Sequence, residues 1–190
     1  MASTITAEKV SLRKSVKDFC LSGFDRQTSD FLLLSRFLSL PQVVAAGSLL
    51  LFWGVDTEPE TSRLVEPLLE MDKRIALPRC LPHRQMEARE YRGWGHLMES
   101  AYGIPEPDDE CPVMARESVD LILVPNLCCD RRGFRLGHGG GYYDRYLAGY
   151  GGTTVALCRD ALLFDNLPTG EYDLPVQIIL TETQCLSLFK

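Results

Sequence analysis

The chain has 190 residues, of which 45% are hydrophobic and 24% charged, and its formal net charge is −6 at pH 7. The length and composition predict one globular domain, residues 1–190, with a sizeable core. The negative charge argues against a general surface for nucleic acid or anionic membrane, and no apolar run approaches the roughly 20 residues of a membrane span.

The first predicted element is a helix from Thr6 to about Leu21, with Thr6 as its N-cap. Lys9, Arg13 and Lys17 recur every fourth residue and therefore lie on one face of this helix. From the pattern alone, that face is either a solvated basic surface or a site for an anion. A second helix is predicted from about Arg26 to Leu38, and its dense apolar content indicates core packing.

A buried strand is predicted from Leu49 to Trp53, followed by a helix with Thr57 or Thr61 as its cap. Glu58, near the start of that helix, is either an acid favoured by the helix dipole or a ligand for a substrate. Trp53, at the end of this strand, is typical of a core aromatic residue.

The next elements are shorter. Residues 73–79 are predicted to end a further strand, and Met86 to Tyr91 to form an edge strand or one arm of a hairpin. Residues 102–107 are predicted to form a Pro/Gly loop, and the acidic residues 106–113 to be exposed.

A strand, a glycine-rich loop and a helix are predicted in succession near the centre of the second half. Val119 to Val124 is an apolar run typical of a buried strand, and a helix is expected to begin near Gly141. Four of the five residues 137–141 are glycine, and Arg131, Arg132 and Arg135 lie nearby. Backbone N–H groups in such a loop can surround a phosphate, since no Cβ stands in the way.

Two common phosphate motifs are absent. The sequence contains no G-x-x-x-x-G-K-[ST], and Tyr142 occupies the position where G-x-G-x-x-G needs its third glycine. The loop is therefore either a phosphate site of another type or a flexible segment whose glycines only permit turns.

The C-terminal part returns to short strands. Strands are predicted from Thr153 to Cys158 and from Val176 to Leu180, the last of the chain, with a short connection and a turn-rich segment over residues 163–173. Alternation of strands with helical segments predicts an α/β fold with a largely parallel sheet, and the closely spaced last strands allow an antiparallel edge.

The seven cysteines show no C-x-x-C pair, and the N-terminus lacks the apolar core of a signal peptide. Both features favour a protein of the reducing cytosol, and Cys128 and Cys129 are expected to pack as small apolar residues. The three histidines have no ligand-like spacing to the cysteines, so the pattern supports no zinc site.

One segment carries a resemblance to a known family. Arg135-Leu-Gly-His-Gly-Gly-Gly-Tyr-Tyr-Asp144, preceded by Val124-Pro125 and Asp130, is similar to the signature of the 5-formyltetrahydrofolate cyclo-ligases, also called methenyltetrahydrofolate synthetases. The resemblance extends from Lys9 to about Glu182. Its shorter parts are Lys9-Val-Ser-Leu-Arg13, Glu58-Pro-Glu-Thr61, the segment ending in Pro78-Arg79, and Tyr102-Gly-Ile-Pro-Glu-Pro107.

The resemblance implies a single three-layer α/β domain, with a central, largely parallel but mixed sheet flanked by helices. It further implies an ATP- and Mg²⁺-dependent ring closure of 5-formyltetrahydrofolate by a cytoplasmic monomer that acts on small molecules. The implied catalytic residues are Arg135 and Tyr143, and the implied Mg²⁺ ligands are Asp144 and Asp173. ATP is expected to contact Lys9, Arg13, Arg135, Leu136, Gly137, His138, Gly139, Gly140, Gly141, Tyr142 and Tyr143. The folate is expected to contact Trp53, Glu58, Tyr102, His138, Gly139, Gly140, Gly141 and Tyr142.

Four positions depart from the pattern that the resemblance implies. Gly140 stands where many members carry lysine, Asn126 and Cys129 where glycine and an aromatic are usual, and Gln177 where a second aspartate is frequent. These departures leave open a catalytically weak member that binds and sequesters folate. A second alternative is a sugar-phosphate isomerase or acyl-transfer enzyme, for which Glu58 or Glu106 would be the base or nucleophile.

Overall fold

The structure is a computed structural model that describes residues 2–188. Its first helix begins at Ala2, so the prediction that Thr6 caps it is wrong. Neither glycine nor proline precedes Thr6, and nothing in residues 2–5 interrupts the helical path. The helix predicted near Thr57 or Thr61 starts as a 3₁₀ turn at Thr61 and becomes α-helical at Val65. The α-helices of the described residues are α1 (Ala2–Leu21), α2 (Arg26–Leu38), α3 (Pro41–Ala45), α4 (Val65–Glu70) and α5 (Tyr142–Leu147).

The strands are short, and most of them follow turns or 3₁₀ segments. Within the described range they are β1 (Ser48–Leu50), β2 (Arg74–Leu81), β3 (Gln85–Glu90), β4 (Leu97–Glu99), β5 (Pro105–Pro107), β6 (Val113–Met114), β7 (Leu121–Leu123), β8 (Cys128–Asp130), β9 (Arg135–Leu136), β10 (Thr153–Leu157), β11 (Leu163–Phe164), β12 (Ile178–Leu180) and β13 (Cys185–Ser187).

A central eight-stranded sheet has the order β13-β12-β10-β7-β1-β2-β3-β6. The strands from β12 to β2 pair in parallel, whereas β13, β3 and β6 add antiparallel edges. This confirms the predicted α/β class with a largely parallel, mixed sheet. One detail was wrong: β13 follows the strand predicted to be the last. Of the two alternatives for residues 86–91, the hairpin arm is confirmed, since β3 pairs antiparallel with β2 and β6 lies outside it.

Helices cover both faces of this sheet, which gives three layers. Leu49 and Leu51 contribute to the core on the side of α2, α3 and α4, where Leu33, Phe37 and Leu68 are also buried. Leu50, between them, contributes to the core on the side of α1 and α5. Alternate residues of one strand therefore enter two separate cores, as expected for a parallel sheet between helices. No helix in the described part of the chain is long and apolar enough to cross a membrane.

Two small sheets lie outside the central one. In the first, β8 pairs with β11 on one side and with β9 on the other; Cys128 and Cys129 lie buried in β8, as predicted. In the second, β4 and β5 form a hairpin. Residues 106–113 are not uniformly exposed: Glu106, in the middle of β5, is 8% exposed, and Cys111, after the hairpin, only 1%.

Candidate active site

The glycine-rich loop lies between β9 and α5. Gly139 and Gly141 have φ values of +98° and +70°, a backbone region that non-glycine residues rarely adopt, and Gly141 is the N-cap residue of α5. These two glycines turn the chain from the strand into the helix. The predicted strand, loop and helix are all found, but the predicted strand is β7, and the unpredicted strands β8 and β9 lie between it and the loop.

Helix α1 supplies two cationic side chains to this region. Arg13 donates from Nε to the carbonyl oxygen of Gly137 at 2.8 Å, and a Cβ added to Gly139 would lie 3.2 Å from Arg13 Nη2. Lys9, one turn earlier, forms an ion pair with Asp173. Lys17 is exposed on the same face. The first two members of the predicted basic face thus lie against the loop and the C-terminal segment, and the third is solvated.

Arg135 and two aspartates form the other wall. Arg135, whose side chain is 5% exposed, donates from Nη2 to Asp144 Oδ1 at 2.9 Å and from Nη1 to the carbonyl oxygen of Leu174. Asp144 Oδ1 also accepts the backbone N–H of Leu174, the residue after Asp173, at 3.3 Å. Each aspartate accepts hydrogen bonds through only one of its carboxylate oxygens. Asp144 uses Oδ1, and Asp173 uses Oδ2, which accepts from Lys9 and from the N–H of Gly170.

This pair fits a hard cation such as Mg²⁺. Among the described residues, Asp144 Oδ2 and Asp173 Oδ1 accept no hydrogen bond from a protein donor. Mg²⁺ commonly uses one or two carboxylate oxygens and takes its remaining ligands from phosphate and water. Lys9 and Arg135 hold the two carboxylates in place without using the free oxygens.

Glu58 faces the glycine loop from the opposite side. Its side chain is 3% exposed; Oε2 accepts the N–H of Val55 at 3.1 Å, and Oε1 lies 3.3 Å from Nε2 of His138. The Oε1 contact lacks hydrogen-bond geometry, so this buried oxygen has no aligned donor among the described residues. The Glu58 carboxylate beside the ring raises the pKa of His138, and burial of the ring opposes this shift. His138 therefore links the glycine loop to a buried carboxylate with spare acceptor capacity.

The turn that carries Glu58 requires a glycine at its start. A Cβ on Gly54 would lie 1.9 Å from the carbonyl oxygen of Pro59, so no side chain fits there. The hydroxyl of Thr61 donates to the carbonyl of Phe52 and accepts the N–H of Gly54, which ties the two ends of the turn together. A cavity of about 500 Å³ opens at this turn and is lined by Arg26, Asp30, Gly54, Val55, Glu58 and Arg63, among others.

A buried ion pair holds the Glu58 turn against α2. Arg159, two residues beyond β10 and 2% exposed, lies 2.8 Å from Asp30 of α2 and donates to Ser29. Arg159 also donates to the carbonyl of Thr57 at 3.4 Å, and Asp30 accepts the N–H of Glu60 at 3.1 Å. The sequence reasoning missed this pair. The available signal was an arginine just after a buried parallel strand, where functional groups collect in α/β folds.

Aromatic residues line the region between the β4–β5 hairpin and the loop. The hydroxyl groups of Tyr102, at the tip of the hairpin, and Tyr142 are 2.9 Å apart. Trp53 is half-buried against the core and meets Trp94 edge-on, with 5.1 Å between the ring centroids. Tyr102 thus lies beside the loop, as predicted, whereas Trp53 combines core packing with a contact to the hairpin.

Tyr143 has a buried hydroxyl group without a hydrogen-bond partner among the described residues. Burial raises the pKa of Tyr143 above its ordinary value, and the nearby Glu58 raises it further. The group stays a neutral O–H and is available as a donor.

Cys80 and Cys128 show no feature of a nucleophile. Burial raises the pKa of Cys128 to about 12, and burial with a hydrogen bond to Glu106 raises that of Cys80 to about 12. Both groups therefore stay protonated at neutral pH. Glu106 itself is buried and accepts the backbone N–H of Cys80 at 3.1 Å.

The departures at positions 126 and 129 contact each other. Asn126 Nδ2 donates to the carbonyl of Leu157 at 3.0 Å, and the thiol of Cys129 donates to Asn126 Oδ1 at 3.4 Å. Gln177 accepts the N–H of Thr154 at 2.9 Å and so joins β10 to β12. These three side chains therefore serve packing and sheet pairing.

Position 140 has little room for a side chain. A Cβ there would lie 2.8 Å from the ring of Tyr142. Arg145, which the sequence reasoning did not select, donates from Nη1 to the carbonyl of Gly141 at 2.9 Å. A cation is therefore present next to the loop, although it comes from α5 and not from position 140.

Fold and site together define an α/β protein with a glycine loop contacted by cations and a buried carboxylate on opposite sides of one histidine. The sequence model described as the 5-formyltetrahydrofolate cyclo-ligase family matches residues 5–182. The chain belongs to the 5-formyltetrahydrofolate cyclo-ligase family.

Individual relatives agree with this assignment. The 5-formyltetrahydrofolate cyclo-ligase of Escherichia coli K12 is 31% identical over 156 residues, which cover 79% of this chain and 86% of the relative. That of Mycolicibacterium smegmatis is 35% identical over 140 residues, which cover 67% and 69% of the two chains. The NMR structure of Aquifex aeolicus 5,10-methenyltetrahydrofolate synthetase superposes with a TM-score of 0.85 at 30% identity and covers 96% of this chain and 93% of that one.

Proposed function

We propose that this protein converts 5-formyltetrahydrofolate to 5,10-methenyltetrahydrofolate in a reaction that consumes ATP and needs Mg²⁺. The observation that carries the proposal is the convergence at His138 of two unlike binding elements. One is the glycine loop held by Arg13, which suits a phosphate chain; the other is the buried Glu58, which suits a ring with two adjacent N–H donors.

The triphosphate of ATP binds along the loop from Arg135 to Tyr143. Arg13 and Lys9 neutralise phosphate charge from α1, and the N–H groups of residues 137–141 supply backbone donors. Asp144 and Asp173 would hold Mg²⁺, which would supply positive charge beside the triphosphate.

The folate binds with its aminopyrimidine against Glu58. The buried Oε1 oxygen gains a hydrogen-bond donor, which removes the cost of an unsatisfied buried acceptor. Tyr102, Tyr142 and Trp53 form the apolar sides of the site. His138 and Gly139–Gly141 lie between the two substrates and contact both.

The chemistry proceeds in two steps. The formyl oxygen attacks the γ-phosphorus and ADP leaves. N10 then attacks the formyl carbon, its proton passes to solvent or to the departing phosphate, and phosphate leaves. An amide oxygen is a poor leaving group, so its phosphorylation makes the second step possible. The protein contributes positioning and charge neutralisation, with Arg135 close to the transferred phosphoryl group and the Tyr143 hydroxyl as a fixed donor.

Residues 1–190 are proposed to act as one cyclo-ligase domain, monomeric and cytoplasmic, with small molecules as its partners. The continuous central sheet, which contains strands from β1 to β13, supports a single domain.

The proposal predicts product formation only when ATP, Mg²⁺ and 5-formyltetrahydrofolate are all present. The measurement follows the near-ultraviolet absorbance of the methenyl product together with the release of phosphate. Folate binding without turnover would instead identify a sequestering member of the family. Turnover without ATP would favour an isomerase or acyl-transfer reaction that uses Glu58 or Glu106.

We further expect the KM for 5-formyltetrahydrofolate to fall as the pH rises through the raised pKa of His138. The protonated His138 ring pairs with Glu58. Asp56 also favours the protonated form of His138, whereas the charge of Arg13 opposes it. When His138 loses its proton, the Glu58 carboxylate is therefore free to bind folate. The same ion pair stabilises the fold below the ordinary histidine pKa of about 6.5, and that contribution is lost as the pH rises through the folded-state pKa.

Profiles of kcat/KM for folate against pH, for the native protein and His138→Gln, test this expectation. The neutral amide of glutamine cannot titrate, so the variant should show a flatter profile. An unchanged profile in His138→Gln would assign the pH dependence to another group.

A further inference from the structure

Three metal-binding side chains meet at the base of the β4–β5 hairpin. His96 directly precedes β4, Asp108 directly follows β5, and Cys111 lies three residues further on. One ligand atom of each, namely a histidine ring nitrogen, a carboxylate oxygen and Sγ, lies within 4.8 Å of the other two. Nδ1 of His96 is 3.2 Å from Asp108 Oδ2 and 3.6 Å from Glu110 Oε2. A fourth ligand is therefore within reach.

The backbone of this cluster is fixed by contacts that use neither the His96 ring nor Asp108 Oδ2, and the Cys111 thiol donates only to the carbonyl oxygen of His96 at 3.8 Å. Asp108 Oδ1 accepts the N–H groups of Glu110 at 2.9 Å and Cys111 at 3.2 Å, so Oδ2 faces His96. Arg89 Nη1 donates to the carbonyl oxygens of Asp108, Asp109 and Cys111 at 2.9–3.2 Å. The loop therefore has its shape before any cation binds.

The two arginines near the cluster pair with a neighbouring aspartate and not with the proposed ligands. Asp109 forms ion pairs with Arg79 at 2.7 Å and with Arg89 at 3.7 Å. In the described part of the chain, Asp108 and Glu110 have only His96 as an ion-pair partner. Two carboxylates thus share one imidazole, which leaves excess negative charge beside a buried thiol.

We propose that His96, Asp108 and Cys111, with Glu110 as the fourth ligand, bind one divalent cation of the Zn²⁺ type. One nitrogen, one sulfur and two carboxylate oxygens make a four-ligand set that suits Zn²⁺ and is unsuitable for Mg²⁺. On binding, a Zn–S bond replaces the S–H bond of Cys111, and the proton leaves to solvent. No change of oxidation state is involved.

The role of this cation is structural. It joins the residue before β4 to the residues after β5, so it closes the base of the hairpin whose tip places Tyr102 beside the glycine loop. Twelve and fifteen residues separate His96 from Asp108 and Cys111, which is why the spacing of cysteines and histidines did not reveal the site. The proposal does not depend on the reaction that the protein catalyses.

Titration of the full-length, metal-free protein with Co²⁺ and then Zn²⁺ tests the proposal. We expect one equivalent of Co²⁺ to give a thiolate-to-metal charge-transfer band in the near ultraviolet, and Zn²⁺ to abolish it. The band should be lost in Cys111→Ser and kept in Cys185→Ser, the matched control at an exposed cysteine. Absence of the band, its survival in Cys111→Ser, or its loss in Cys185→Ser would each overturn the proposal.

Asp108→Asn guards against a folding artefact, because asparagine keeps the Oδ1 acceptor of the turn. Its metal-free melting temperature should stay near that of the native protein, while its Kd for Zn²⁺ should weaken by roughly 10- to 100-fold or more. An unchanged Zn²⁺ affinity in Asp108→Asn would contradict the proposed ligand set. The Asp144/Asp173 pair contains no sulfur and cannot produce the charge-transfer band.

Discussion

Arg13→Ala is expected to lower kcat/KM for ATP by roughly 100-fold to 1,000-fold, the range for loss of one preorganised donor to a developing charge. Arg13 acts in two ways: Nε fixes the carbonyl of Gly137, and Nη2 lies near Gly139, where a phosphate would pass. Its loss removes a charge and loosens the loop together. Steady-state kinetics with varied ATP at saturating folate measure the effect.

Lys17→Ala is the matched control, since Lys17 lies on the same face of α1 and is exposed. An exposed substitution of this kind should change the kinetics by no more than about two-fold. Arg13→Lys should recover part of the loss, because lysine restores the charge without the planar fork that reaches two acceptors. Equal losses in Arg13→Ala and Lys17→Ala would mean that α1 supplies only a diffuse positive field.

Arg159→Met is expected to lower the free energy of unfolding by about 3–5 kcal/mol, the range for removing one partner of a buried ion pair. The substitution leaves the carboxylate of Asp30 buried and uncompensated, and it removes the donor to Thr57. Arg159 and Asp30 both hydrogen-bond to the turn that carries Glu58, so the turn should loosen. The KM for folate should therefore rise, while the KM for ATP stays near its native value. Urea denaturation and the two KM values together provide the measurement.

The same turn offers a control of the same chemistry. Arg63 pairs with Glu60 at 2.7 Å, but the two side chains are 60% and 52% exposed. Arg63→Met should therefore cost less than about 1 kcal/mol. The double variant Arg159→Met/Asp30→Leu should recover stability relative to Arg159→Met alone, since the unpaired charge is gone. An effect of Arg159→Met no larger than that of Arg63→Met would show that the buried pair does not anchor the turn.

Local patterns predicted the main elements well. The leucine-rich periodicity from Arg26 to Leu38 coincides with α2, and the apolar run from Val119 to Val124 contains β7. The glycines 137–141 form the predicted loop before α5. These features depend on short-range chemistry, namely helical periodicity, strand burial and positive φ, so the sequence was sufficient to find them.

Features that depend on distant partners were not predicted. The role of Arg159 requires Asp30, which lies on another element more than a hundred residues earlier. The cluster around His96 exists only because β4 pairs with β5. The edge strand β13 is three residues long, too short for a periodic signal. The sequence around Glu58 or His138 did not predict that the two side chains pair, although each was predicted separately to be a site residue.

The contacts of α1 with the glycine loop and with Asp173 also determine when the site can form. Arg13 meets Gly137 across 124 positions and Lys9 meets Asp173 across 164. Contacts of such high sequence separation form late and slowly in folding, because large loops must close first. During synthesis on a ribosome, α1 emerges before residues 137 and 173, so its cations reach these partners only after both have been added. The cationic side of the glycine loop is therefore completed long after the helix that supplies it.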